Sequence, residues 1–564
     1  MPFGILDVHK LDNVPGTGLL SAKVNQATIE EAKELKELKR GTGKHSHIVL
    51  IPQPSDDPRD PLNWPRWKKE ACFWTLVFTT SLEGALVSLA SPGYVLLAKE
   101  FNVSVDEIAS TFSAAVLGLA IFTLFQNALA FKYGYRLIFL LSTFLMFICC
   151  VWTAMSPNLA SIRASRVLQG FGMAAPRALV PTAIEHIVHE RGSRSIVWSF
   201  CVGSGTTLGP FIYGYVAQYL SWRLGFWFVG VACGLSFLGT FFFVPETTYH
   251  RRAITVRPIE SNKDMGDGRK DGIEKTNGTP DTQVADIQYL DPNAPCPKPP
   301  SFLRQLKIYN GTFSDDSLWK IFLRQFPFIL SPVMWFLLPT ASLSSVWFSL
   351  VSICSTTIFT TTYHFNAAQV GLTHLAGLVG VILAMSTTFL YDRAIVWMSR
   401  RNRGIYEPEY RLIFTLNMLF SVAAYVCWGI GNDHHMPWIG AVICFTIMSF
   451  SMAVTTGTAL TYLLDTHGAN ALYMLSFLNI ARELVFYGAT FFANGFILSH
   501  GVKVSLLILG SLEAICWLPS VPMYVYGKRA RSFIARHPRL FRGDLREDDC
   551  LPRAGTSEKT RSKC

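Results

Sequence analysis

Apolar runs of roughly 20 or more residues recur along the 564-residue chain. Each is long enough to cross about 30 Å of hydrocarbon as a helix. That recurrence leaves few architectures open, because a backbone in lipid must satisfy its own hydrogen bonds, and helices do this within one segment. Half of the residues are hydrophobic and only 16% are charged, against about 25% in an average soluble domain. The charge lies mostly at the two ends and in one central block. We read an all-α polytopic membrane protein with twelve transmembrane helices in two six-helix bundles.

The expected spans lie at about 72–96, 108–130, 135–155, 159–183, 196–218 and 224–244. The second set lies at about 333–361, 369–391, 412–430, 437–464, 470–498 and 504–526. Pro332 and Pro339 blur the start of the seventh. The domain reading is 1–70 as a mostly disordered N-terminal tail, 71–245 as the first bundle and 246–328 as a linker with an amphipathic end. The second bundle is 329–526, and 527–564 is a basic tail. A short charged helix candidate lies at Ala27–Arg40. No basic start is followed by an apolar stretch of signal-peptide type, so the first span is expected to serve as the targeting signal.

Lys and Arg collect in alternate loops, which orients the chain. Lys68, Lys69, Lys132, Arg136, Arg191, Arg194, Arg393, Arg400, Lys528 and Arg531 fall on one side. Both termini and the linker are expected in the cytosol, most simply beneath a plasma membrane. The net charge of +11 follows from this bias and from attraction to an anionic leaflet, with no nucleic-acid partner implied. The twelve cysteines show no metal or redox spacing, and no cofactor or metal is expected. Of three N-x-S/T sequons, only Asn102 falls on an outward loop, making it the glycosylation candidate.

Arg166 stands out within the fourth apolar run, since an intramembrane cation normally faces a partner or a watery cavity. At 1.5 Å per residue, Glu83 lies about 17 Å above the inner boundary and Arg166 about 10 Å below the outer one. A Glu83–Arg166 pair near the midplane is therefore geometrically allowed; the alternative is that Glu83 packs among Ser81 and Ser88 as a structural acid. Gln169, Met173 and Arg177 share the helix face of Arg166. Glu483 and Glu513 are rival buried acids. Arg482 and Glu483 are adjacent, do not share a helix face and so need not pair. Trp335, Trp347 and Phe348 could receive a planar or cationic ligand, or simply pack.

Arg166-Val-Leu-Gln169-Gly170-Phe-Gly172 resembles the R-x-x-Q-G-x-G element of the major facilitator superfamily. Gly205-Thr-Thr-Leu-Gly209-Pro210-Phe-Ile-Tyr213-Gly214 is similar to its antiporter motif, with Tyr213 in place of a glycine. Trp222-Arg223-Leu-Gly-Phe-Trp227, Pro245-Glu246-Thr247, Asp60-Pro-Leu-Asn-Trp64-Pro and Asn402-Arg-Gly-Ile-Tyr-Glu-Pro408-Glu409 resemble the fungal twelve-span drug:proton antiporter branch. Where the family's loop between spans two and three carries an acid, this chain has Phe131, so Asp392-Arg393 is the remaining candidate charge latch.

The resemblance implies a monomeric secondary transporter, working by alternating access around a midplane site. It further implies proton-coupled efflux of a small organic molecule such as a drug, toxin or secondary metabolite. The proton would be carried at Glu83 with Arg166, or at Glu483. Gln169, Met173, Trp335 and Trp347 would line the cavity. Gly170, Gly205, Gly209, Pro210, Gly214, Asp392 and Arg393 would serve gating and packing. The alternative is a proton-coupled uptake symporter for an organic cation, polyamine or nutrient. A membrane enzyme is disfavoured: His186-Ile-Val-His189-Glu190 lacks the H-E-x-x-H order, and Asp433-His434-His435 has no companion nucleophile.

Overall fold

The computed structural model describes residues 4–6, 16–19, 60–187, 191–248, 305–314, 316–402, 404–537 and 541. The Ala27–Arg40 candidate and His189-Glu190 lie outside them. The first half contains α1 (Arg66–Ser88), α2 (Tyr94–Phe101), α3 (Val105–Phe112), α4 (Ala114–Tyr133), α5 (Tyr135–Met155), α6 (Leu159–Ile187), α7 (Arg191–Tyr219) and α8 (Trp222–Phe243). After the short α9 (Leu318–Leu323) come α10 (Pro332–Leu337), α11 (Ser344–Thr362), α12 (Ala367–Thr373) and α13 (Leu375–Arg401). The series ends with α14 (Met418–Asp433), α15 (Trp438–His467), α16 (Ala471–Ala489), α17 (Ala493–Trp517) and α18 (Ser520–Arg536).

Nine helical stretches among the described residues are long and apolar enough to cross a membrane. The fourth, fifth and eleventh expected spans are present as α6, α7 and α16 but are absent from those nine. Two of these, α6 and α16, carry the charges discussed below. Several expected spans are interrupted rather than continuous. The first breaks at the turn Ser91–Gly93, where Pro92 lacks a donor. The seventh contains a π segment, Leu338–Leu343, that absorbs Pro339; such segments often mark functional positions. The eleventh stops at Ala489 rather than near 498, and Gly501 (φ +83) bends the helix that follows.

Helix pairing in the first half is repeated in the second. Helix α4 packs on α6 and α5 on α8, while α13 packs on α15 and α14 on α17. The two bundles meet where α4 touches α16 and where α7 touches α12 and α13. Small residues make these contacts close. A Cβ at Gly170 would strike the Ala115 carbonyl, and one at Gly205 would strike the Ser81 carbonyl. At Gly209 it would meet Ala85 Cα at 2.9 Å, and at Gly214 the Ala367 carbonyl at 2.6 Å. Thus Gly170, Gly205 and Gly209 bring helices together within the first bundle, whereas Gly214 acts between bundles.

The described residues near the start of the chain are docked. Ile5 is buried with Ile395, Met398 and Tyr410, and Leu6 N donates to Val525 O at 3.1 Å. Gly18–Leu19 pairs antiparallel with Ile405–Tyr406. The start of the chain is thereby docked on the second bundle, on the face that also carries the end of α18.

Gly170→Ala is expected to destabilise the protein by roughly 1–3 kcal/mol, because backbone rather than a flexible side chain must move. Gly457→Ala, where the added Cβ meets nothing within 4 Å, is the matched control. Thermal unfolding of the purified variants in detergent checks the pair: equal midpoints would contradict the close-packing assignment.

Candidate functional site: a charge cluster between the bundles

Arg166 is buried, but it does not pair with Glu83. Its Nε donates to Phe112 O at 2.9 Å, its Nη2 to Leu86 O at 2.8 Å, and its Nη1 to Gln169 Oε1. Phe112 ends α3 and Leu86 lies in the last turn of α1. The final carbonyls of a helix lack intrahelical donors and carry partial negative charge. Arg166 therefore caps two helix ends, and the Phe226 ring lies 5.9 Å from its guanidinium. The expected pair fails because the helix breaks after Ser88 and Phe112 supply nearer acceptors.

Gln169 and Met173 belong to the same packed region. Gln169 Nε2 donates to Cys150 Sγ at 2.8 Å, and Met173 sits in the apolar core. Neither lines open space here. Trp335 is 61% exposed on the protein's exterior, and Trp347 Nε1 donates to Cys516 Sγ at 3.4 Å. Of the four residues expected to line a cavity, two lie in the core, one is peripheral and one is tied to α17.

Two turns or more along α6, on the stripe begun by Arg166, Arg177 finds the acids instead. Its Nη1 donates to Glu483 Oε1 at 2.7 Å and lies 3.6 Å from Glu83 Oε1. Glu83 is on α1, Arg177 on α6 and Glu483 on α16, so the short bond crosses from one bundle to the other. Arg482 Nε also donates to Glu483 Oε1, at 2.9 Å. The adjacent pair meets after all, because the long arginine side chain folds back. Neither oxygen of Glu83 has a hydrogen-bond partner among the described residues, and the side chain is 0% exposed. Burying an ionised carboxylate without hydrogen bonds is costly, and Arg177 is the nearest compensating cation. Glu513 is separate, held by Ser344 Oγ at 2.7 Å.

The bundles touch at both ends. On the face bearing the described termini, Asn127 Nδ2 donates to Ser476 Oγ at 2.6 Å. Phe131 packs against the second bundle with its ring 5.9 Å from Tyr473. The residue that replaces the family's acid thus makes an apolar contact. Asp392 and Arg393 are exposed and form no ion pair among the described residues; Arg393 lies over the Phe389 ring at 4.0 Å. They do not form a latch here. Buried charge on this face sits instead at Arg531, bonded to Glu407 Oε2 at 2.8 Å and Glu409 Oε2 at 2.7 Å.

Glu246, noted in the sequence only within a shared motif, accepts from Tyr135 N at 3.0 Å and Arg136 N at 3.3 Å. A carboxylate at the start of α5 answers the positive end of that helix. Sequence spacing gave no signal for this contact, which joins positions far apart in the chain. On the opposite face, Asp106 accepts from Asn494 N at 2.9 Å and Gly495 N at 2.7 Å, capping α17 from the other bundle. Asn102 is exposed in a left-handed turn, φ 55. Ser104 of its sequon accepts from Glu107 N at 3.1 Å.

Asp106→Ala removes both inter-bundle acceptors. Labelling of a cysteine placed at Val87, in a cysteine-free background, is expected to rise about tenfold, an opening shift near 1.4 kcal/mol. Unchanged labelling by a membrane-impermeant maleimide would show that Asp106 does not hold this face closed.

Comparison with known proteins gives one answer. Protein HOL1 of Saccharomyces cerevisiae is 24% identical over an alignment that covers 93% of this chain and 96% of that protein. Efflux pump radE of Floropilus chiversii is 24% identical, covering 86% of this chain and 84% of that protein. The structure of the proton:xylose symporter XylE superposes with a TM-score of 0.54 at 14% identity, over 82% of this chain and 96% of that one. That likeness concerns the fold. The Major Facilitator Superfamily matches residues 76–490, and the chain belongs to it: a multi-pass membrane transporter and not an enzyme.

Proposed function

We propose that the protein is a proton-coupled exporter of a small organic molecule, working as a monomer by alternating access. The observation that carries this reading is the Glu83–Arg177–Glu483 cluster. One guanidinium is shared between an acid of its own bundle and an acid of the other. Rocking the bundles apart at that level must break the 2.7 Å Arg177–Glu483 bond. Arg177 is then left with Glu83 alone, and the charge each carboxyl can sustain changes with the conformation. A carboxylate near a cation in a low-dielectric setting can load and release a proton in this way. Glu83, sealed and without hydrogen bonds, is the proton carrier in this scheme. Arg177 takes the role first expected of Arg166, which pins the helix ends around it. Glu483 is the acid that senses the opposite bundle.

The export direction is supported by a relative named as an efflux pump. The orientation with both termini in the cytosol rests on the distribution of Lys and Arg, and the plasma membrane is the location proposed.

Glu83→Gln keeps the size of the side chain and cannot lose a proton. In proteoliposomes, proton movement coupled to substrate flux is expected to fall by about tenfold or more, equivalent to 1.4 kcal/mol or more, while substrate exchange without a proton gradient persists. Coupling equal to wild type would remove Glu83 from the scheme.

A further inference from the structure

The cluster presents its two charges unequally. Glu83 and Glu483 are 0% and 4% exposed, whereas Arg177 and Arg482 keep 20% and 18% of their side-chain surface. Both arginines lie where α6 of one bundle meets α16 of the other, and the surface they keep opens there. Their unused donors reach this opening as well. Arg177 bonds through Nη1, and its Nε and Nη2 have no partner among the described residues, yet they are not among the sealed polar atoms. The same holds for Nη1 of Arg482, whose Nε and Nη2 are bound to Glu483.

An arginine edge formed by Nε and Nη2 offers two parallel N–H groups, the geometry that matches a carboxylate bidentately. We propose that this edge of Arg177 is the recognition point for the transported molecule, and that the substrate is an organic carboxylate rather than an organic cation. The inference rests on the transport reading above and names the substrate class of the same site. A cation entering the same space would meet guanidinium first, with both carboxylates behind it. An anion on the Nε/Nη2 edge leaves Nη1 to Glu483, so ligand binding and the acid network use different donors of one side chain.

The test uses purified full-length protein and two matched sets of ligands. One set is indole-3-acetate, indole-3-acetamide and tryptamine; the other is benzoate, benzamide and benzylamine. Binding is read by ligand-induced thermal stabilisation. The carboxylate of each set is expected to bind at least about tenfold more tightly than its amide or amine, a difference of about 1.4 kcal/mol. Arg177→Lys, which keeps the charge but loses the fork, should reduce that preference, and Arg177→Gln should abolish it. Should Arg177→Gln fail to fold, the ratio in Arg177→Lys decides. Tightest binding of an amine, no binding of any carboxylate, or a preference unchanged in Arg177→Lys would overturn the proposal. Glu83→Gln is expected to retain the preference, so proton coupling left unchanged in Glu83→Gln would strike the transport scheme and leave the ligand class standing.

Discussion

A charge held inside a membrane protein must be compensated there, and in this chain the compensation joins two bundles. Arg177 has one short bond, to Glu483 across the interface, and one longer approach, to Glu83 within its own bundle. Breaking a buried pair by withdrawing one partner leaves an uncompensated charge and costs several kcal/mol, of order 3–5. In the proposed scheme this cost links movement of the bundles to movement of protons. The glycine contacts of α6 and α7 fix the backbones around the cluster, and Arg166 closes the helix ends above it.

The two arginines of α6 divide the work. Arg166 is consumed by backbone carbonyls at the ends of α1 and α3, so its charge is spent locally and ties three segments of one bundle. Arg177 lies on the same helix stripe but faces acids from two bundles. The first is suited to rigidity. The second is suited to the proposed cycle, in which its partners separate as the bundles rock.

The membrane class, the interior charges and the positions of most helices were legible in the sequence, because apolar length and isolated charge are strong signals. The pairing was not. Glu83 and Arg166 matched in estimated depth, but the helix breaks at Ser91–Gly93 and after Phe112 freed carbonyls that lie nearer. Such breaks depend on local turns that periodicity does not register. Arg177 was visible as a member of the stripe, yet only the crossing of α1, α6 and α16 shows why it matters. Phe131 illustrates the converse: its departure from the family pattern was plain, and the structure gives it a partner in Tyr473. Asp392-Arg393 kept the expected residue types, yet both are exposed and form no ion pair among the described residues, with Arg393 over the Phe389 ring. The docking of Ile5 and Gly18–Leu19 onto the second bundle had no sequence signal, since a two-residue strand has no period to detect.

The most direct measurement follows the separation of the bundles as the cluster is protonated. Spin labels at the ends of α4 and α16 that share the termini face would report this distance by pulsed electron resonance in nanodiscs. Protonation of Glu83 leaves Arg177 to Glu483 alone, so acidification should shorten the distance and raised pH should populate a second, separated conformer. In Arg177→Ala that response to pH should be lost. A distribution that ignores pH in the wild type, or responds equally without Arg177, would contradict the shared guanidinium as the link between protons and motion.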